Sequence, residues 1–399
     1  MKRQILVLGA GFGGVWSALS AARLLDLNGC TDVQITVLAP QAELRIRPRF
    51  YEPNVHEMKA SLAALFAATG IAFVEGVAAN IDPGGKRVEY IAAPGVHGWL
   101  SYDKLVLATG SRLNRPPIDG IEHAFDVDEI ETAACLEKHI KALAQTPESE
   151  ARNTVVVCGG GFTGIETATE MPARLRAVLG EAARINVIVV DRGAQIGAAL
   201  GQGIRPSIAE ASADLGIEWC LNATVAAIDP TGVTLADGRH IGASTVIWTV
   251  GFRASALTEQ VPGERDALGR LHVDCNLKVQ GQDDIYAAGD VAYAATDDEG
   301  HFAAMSCQHA ISLGRHAGNN VAADVLNVAA TAYRQPKYVT CLDLGAWGAV
   351  YTEGWDRQLK LVREEAKTLK SNINTVWIYP PVAERATALA AADPLIPVA

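Results

Sequence analysis

The chain is 399 residues long, enough for two or three domains each with its own core, and about half of it is apolar, which is ordinary globular composition. A formal charge of -11 excludes an extended nucleic-acid footprint, which needs a basic stripe, and disfavours electrostatic docking on anionic lipid. Seven scattered cysteines with no Cys-x-x-Cys predict a reducing compartment and no metal site, no apolar run reaches membrane-spanning length, and no secretory h-region precedes the first strand; the expectation is a soluble, cytoplasmic protein.

The first element is an apolar run, Ile5 to Leu8, followed at once by Gly9, Gly11 and Gly14 in Gly-x-Gly-x-x-Gly spacing and by a segment that continues as a helix from Val15. Gly9 serves the tight turn, Gly11 lets backbone approach a pyrophosphate, and Gly14 lets helix and strand pack closely. Glycine clusters also make ordinary turns, but the flanking strand and helix favour a dinucleotide cradle. The next strand, Val33 to Leu38, ends at Ala39-Pro40, where such cradles usually place an acid for the ribose; backbone or Glu43 is left to hold it.

Arg45, Arg47 and Arg49 form a local basic patch, read equally as a solvated loop or as a phosphate or substrate contact. Residues 71–77 predict a short strand, 88–91 and 99–102 an antiparallel excursion, and 102–107 a buried strand stopping at Ala108-Thr109-Gly110.

The same order then recurs. Thr154 to Cys158 leads into Gly159, Gly161 and Gly164, and the partner strand ending at Val190 is followed by Asp191, whose carboxylate suits ribose hydroxyls and repels a 2′-phosphate. That favours NADH over NADPH, although the adjacent Arg192 softens the preference. The strand from Thr245 stops at Val250-Gly251 as the earlier one stopped at Gly110. An ordered repeat of cradle, second strand, excursion and glycine stop points to two nucleotide sites. Beyond it, a short strand runs into Gly289-Asp290, and Ser306 opens a helix toward Leu326 whose N-terminus would face a flavin ring, with Asp290 accepting from the ribityl chain.

With these motifs in place the chain resembles the two-dinucleotide-binding-domain flavoproteins and, within them, the type II NADH dehydrogenase-like family. The resemblance spans about residues 2–330 and implies an α/β fold of two Rossmann-like domains: an FAD domain (1–115 and 252–335), an inserted NAD(P)H domain (116–251) and a C-terminal β-containing segment (336–399) that covers the flavin or builds a homodimer face. It implies that FAD is held by Gly9, Gly11, Phe12, Gly13, Gly14, Ala39, Pro40, Arg47 and Val77, then by Ala108, Thr109 and Gly110, and finally by Gly289, Asp290, Gln308, His309 and Ala310. NADH falls to Gly159, Gly161, Phe162, Thr163, Gly164, Glu166, Asp191, Arg192, Val250 and Gly251.

The implied reaction passes hydride from NADH to FAD and then electrons to a quinone or other small acceptor. Glu166 is expected to position nicotinamide, or simply to sit as a carboxylate favoured at a helix N-terminus. Gln308 and His309 are the acceptor-side candidates, His309 as a proton shuttle or as an interior histidine. Gln308 matches the first glutamine of the family's Ala-Gln-x-x-x-Gln quinone motif, but Ser312 stands at the second. The family's C-terminal membrane-binding helices have no clear counterpart; residues 338–351 alternate like a hairpin instead. Peripheral membrane contact stays open. So do a reductase serving an electron-transfer protein, a flavin oxidase or monooxygenase, a redox sensor, and a sulfide:quinone-type enzyme using Cys307 and Cys341, while Cys158 packs as a small apolar residue. A disulfide reductase is further away, since no cysteine lies between Cys30 and Cys135.

Overall fold

The computed structural model describes residues 2–398. Arg3–Leu8 is the middle of a five-stranded parallel sheet, and the burial of every residue from Ile5 to Leu8 reflects helices or loops on both faces. The strand order is Ile285–Ala287, Lys104–Leu107, Arg3–Leu8, Val33–Ala39, Ala72–Glu75. The first sheet is thus closed by a strand from far down the chain. One sequence expectation is corrected here: the strand predicted over 71–77 stops at Glu75. Gly76 turns the chain, a Cβ there would lie 2.7 Å from the Tyr90 ring, and Val77–Asp82 opens an antiparallel sheet with Arg87–Ala92 and Val96–Ser101.

Two long helices follow the glycine motifs, α1 (Phe12–Leu27) and α2 (Phe162–Leu179), and a third, α3 (Cys307–Leu326), follows Ser306. α3 lies directly on α1. A Cβ on Gly318 would occupy the place of the Ser17 carbonyl, and one on Gly314 would meet the Trp16 Cβ at 3.0 Å, so the two backbones nearly touch and the start of α3 is fixed against the first cradle. Ser306 caps that start, its hydroxyl accepting from the His309 amide at 3.3 Å.

The second parallel sheet runs Ile217–Cys220, Asn186–Val190, Thr154–Cys158, Thr245–Trp248. The chain leaves the first unit and returns to it through one antiparallel ribbon, Ser111–Leu113 paired with Phe252–Ala254.

The C-terminal segment forms an antiparallel sheet of Val339–Asp343, Ala349–Glu353 and Gln358–Val362, the first two being the expected hairpin, followed by α4 (Arg363–Asn372). Leu342, Leu344, Trp347 and Val350 of this segment pack with Ile165, Leu200, Ile204 and Ile208 of the second unit in one apolar cluster. Arg385–Ala391 returns to α1, where Arg385 pairs with Asp26 at 2.7 Å and Asp393 with Arg23. The cysteines are free, Cys158 is buried in its strand, and among the described residues no helix is long and apolar enough to cross a membrane.

Candidate functional site

The two glycine motifs adopt the same backbone. Gly9 has φ +107° and Gly159 φ +112°, a conformation strained for any L side chain. A Cβ on Gly14 would run into the carbonyl oxygen of Gly9, and one on Gly164 into that of Gly159, so each helix packs on its strand only because those positions are bare. Between them Gly11 and Gly161 are extended N-caps with ψ of -173° and -174°, and nothing lies within 4 Å of where their Cβ atoms would be. Each motif therefore offers unpaired helix amides to open space, which is the arrangement that receives a phosphate.

Around the first cradle the fold gathers residues distant in sequence. A Cβ on Gly9 would lie 3.5 Å from Thr109 Cα, one on Gly13 would lie 3.2 Å from the Ala288 oxygen, and one on Gly289 would lie 3.5 Å from the Ala310 Cβ. Phe12 packs against the main core. Ala39 lies beside the cradle, because the Gly9 amide donates to Leu38 and the Gly76 amide to the Ala39 carbonyl, each at 2.9 Å; Val77 follows on an exposed strand start. Asp290 accepts from Ser111 Oγ at 2.6 Å, with Arg47 Nη1 at 3.7 Å; burial pushes its carboxyl up, against the pull of those two groups. Gly110 and its counterpart Gly251 both have positive φ, +68° and +79°.

The basic patch is half-buried and each arginine is paired. Arg45 pairs with Glu131 at 2.7 Å, Arg49 with Glu52 at 2.7 Å, and Arg47 with Asp128 as well as Asp290. Glu43, the alternative ribose contact, pairs with Lys59 at 2.8 Å.

At the second cradle Asp191 is already oriented. Its Oδ2 accepts from the Gly160 amide and its Oδ1 from the Gly193 amide, both at 2.6 Å, leaving outward lone pairs for a ligand, while Arg192 is exposed. A Cβ on Gly159 would meet Val250 at 2.8 Å, which brings the strand stop against the cradle.

Glu166 lies one turn into α2 and is buried, 8% exposed. Its Oε1 accepts from Lys370 Nζ at 2.8 Å and from the Asp343 amide at 3.1 Å. Burial raises the Glu166 carboxyl and opposes charge on Lys370 as well, but the Glu166 carboxylate prevails there and holds the ammonium above its ordinary range. Further down the same helix face, Glu170 lies 3.8 Å from Lys367, which also binds Asp343 at 2.5 Å, and Arg174 donates to the Tyr51 carbonyl at 2.8 Å. Tyr51 in turn donates its hydroxyl to Asp343 at 3.2 Å. Sequence reasoning found Glu166 and missed this surround. Lys370 is one of several lysines in a charged helix, and only the burial of Ala366 and Lys370 one turn apart marks it.

At the head of α3, Gln308 Oε1 and His309 Nε2 are buried without a protein partner. His309 is fully buried beside Tyr338 and Trp355, with Nδ1 3.0 Å from Ser306 Oγ, and burial pushes its pKa down to about 4, so it is an interior, neutral imidazole at neutral pH. Burial likewise pushes the Cys307 thiol up to about 11 and the Cys341 thiol to about 12, against the pull of Lys370, whose charge acts on both. Lys370 Nζ thus ties Glu166 to the Cys341 carbonyl of the C-terminal sheet, 2.8 and 3.0 Å away.

Two cradles on two parallel sheets, with a strand-to-Gly-Asp stop and a capped helix returning to the first, define a flavin- and pyridine-nucleotide-dependent oxidoreductase. Residues 3–314 match the pyridine nucleotide-disulphide oxidoreductase family, and the chain belongs to it. It is 44% identical to an NADH dehydrogenase-like protein of Mycobacterium tuberculosis, over 98% of each chain. It is 28% identical to a demethylphylloquinone reductase of Synechocystis, over 88% of this chain and 86% of that one. In fold it is similar to NDH2 of Plasmodium falciparum solved with NADH, with a TM-score of 0.79 at 15% identity over 98% of each chain.

Proposed function

We propose that the protein is an FAD-dependent NADH dehydrogenase that delivers electrons to a quinone or other small-molecule acceptor in the cytoplasm. The observation that carries this reading is the matching backbone conformation of the two cradles, one facing the Gly289-Asp290 stop and α3, the other facing Asp191. The residues present fit FAD: a Cβ on Gly11 would stand in open space, Thr109 Oγ1 is buried without a partner, and Gly13, Gly289 and Ala310 lie against one another beside Asp290, whose carboxylate accepts from Ser111. In this reading residues 1–115 and 252–335 hold FAD, residues 116–251 hold NADH, and residues 336–399 close the cleft between them. The similarity to a demethylphylloquinone reductase supports a quinone as acceptor.

Bound FAD would supply the two-electron relay between NADH and the acceptor. The chain supplies the rest. Asp191, held by two amides, receives the adenosine ribose and disfavours NADPH. Glu166, fixed by Lys370 and the Asp343 amide, positions nicotinamide. Gln308, with a free Oε1, orients the acceptor, and His309 supports the head of α3 through Ser306. A sulfide-oxidising role for Cys307 and Cys341 is disfavoured, because both thiols are held protonated at neutral pH.

Anaerobic stopped-flow tests the reading. The yellow protein is expected to bleach with NADH and to recover its colour faster with a short-chain quinone than with oxygen. Recovery no faster than with oxygen removes the quinone; absence of bleaching removes NADH.

A further inference from the structure

In an acidic chain, Arg357, beside the second cradle, has no carboxylate partner. Arg357 lies in the turn between the last two strands of the C-terminal sheet, held in the left-handed region at φ +53°. Its guanidinium carbon lies 5.4 Å from the ring centroid of Phe162, the first residue of α2 after the open Gly161, and 5.9 Å from that of Tyr338. Its Nη1 makes one long bond, 3.4 Å, to the Ala199 carbonyl, and its Nε is buried with no partner.

The neighbouring charges are otherwise committed. Asp356, next to it in the turn, accepts from Gln358 at 3.0 Å, Glu353 accepts from Tyr351 at 3.2 Å, and Arg363 is taken by Glu210. The turn itself is fixed from both sides: the Gly354 amide donates to Tyr338 at 2.8 Å, the Arg357 amide to Gly354 at 3.0 Å, and the Arg357 carbonyl lies where a Cβ on Gly203 would meet it at 2.8 Å. A strained non-glycine turn, locked against the second unit, thus presents a guanidinium without a carboxylate at the helix end that begins at the open Gly161. Guanidinium and helix N-terminus both seek the same partner, a phosphate oxygen.

We propose that Arg357 binds a phosphate oxygen of NADH, so that the C-terminal segment completes the dinucleotide site. The inference rests on the second cradle being the NADH site. It makes the C-terminal hairpin a clasp over the dinucleotide, in addition to any cover it gives the flavin.

The test compares wild type, R357Q and R357K, each loaded with FAD and checked for flavin content and unfolding temperature. Calorimetry with NAD⁺ reads binding directly. R357Q is expected to raise Kd about tenfold, the loss of one charge-assisted contact, with R357K recovering part of it. Anaerobic bleaching by NADH should then need correspondingly more donor, while the limiting rate holds. Bleaching by reduced nicotinamide riboside, which has no phosphate, should be the same in all three proteins.

Equal NAD⁺ affinity in R357Q and wild type overturns the proposal, as does an equal loss with the phosphate-free donor. Unchanged NAD⁺ binding with slowed reoxidation by naphthoquinone sulfonate, but not by uncharged naphthoquinone, also overturns it and assigns Arg357 to an anionic acceptor. If R357Q loses FAD, the same comparisons on R357K decide. Failure of wild type to bleach with NADH at all would instead remove the functional reading beneath the proposal.

Discussion

Glu166, Glu170 and Arg174 recur at helical spacing on one face of α2, and that face is turned into the protein rather than into water. Three ionisable groups in such a place are stable only through partners, and these come from elsewhere in the chain: Lys370, Lys367, the Asp343 amide and Tyr51. Glu170 is the least well served. Burial first, and then the Asp343 charge, raise its carboxyl to about 7 from 4.5, with Lys367 opposing. A carboxyl raised on folding costs stability once the pH exceeds its unfolded value. The unfolded chain ionises first, so the Glu170 contribution to stability falls as pH rises from 4.5 to about 7 and is level beyond. E170Q is therefore expected to exceed wild type by about 3 kcal/mol at about pH 8, with the gap gone near pH 4, in denaturant titrations at each pH.

At the scale of elements, strand, glycine turn and helix form a unit used twice, and the repeated conflict between a Cβ on the third glycine and the first glycine's carbonyl predicts separable losses. G14A should push α1 off its strand and yield protein without yellow colour, read as the flavin absorbance of the purified chain. G164A should keep the flavin but weaken NAD⁺ binding by at least about tenfold in the same calorimetric assay. A G14A protein that remained fully yellow would mean that the first cradle does not hold FAD. α3 belongs to the same scale: its bare glycines against α1 set where Ser306, Gln308 and Ala310 stand, so that end is positioned by packing four to twelve residues away from it.

Over the whole molecule, the second unit enters and leaves through the single ribbon of Ser111–Leu113 and Phe252–Ala254, while the C-terminal segment spans from α2 back to α1. That segment is a strap, not a tail. Without residues 336–398, Glu166 would lose both its partners and Ile165, Leu200, Ile204 and Ile208 would lose their apolar cover. The truncated chain is expected to unfold at least about ten degrees lower than the intact one and to bind a hydrophobic dye at neutral pH, both measurable by scanning fluorimetry. An unchanged unfolding temperature would show that the strap adds nothing to stability.

The amino-acid sequence alone determined both cradles, the paired strand stops, the helix from Ser306 and the hairpin near residue 340, because each is written in a local rule: bare glycines where backbone must turn or touch, apolar runs of strand length, a serine cap. From these it also gave the family and the two nucleotides. It left Arg45, Arg47 and Arg49 between two readings, because charge in a sequence does not say which carboxylate will meet it; the fold supplied Glu131, Asp128, Asp290 and Glu52 from three different segments. It split no strand at Gly76, since the reason is the Tyr90 ring across the next sheet. Above all it found Glu166 but not Lys370, and passed over Arg357. Their roles depend on contacts some two hundred positions apart in the chain, and only the tertiary structure, which buries one cation against a carboxylate and leaves the other without a carboxylate beside an open helix end, decided them.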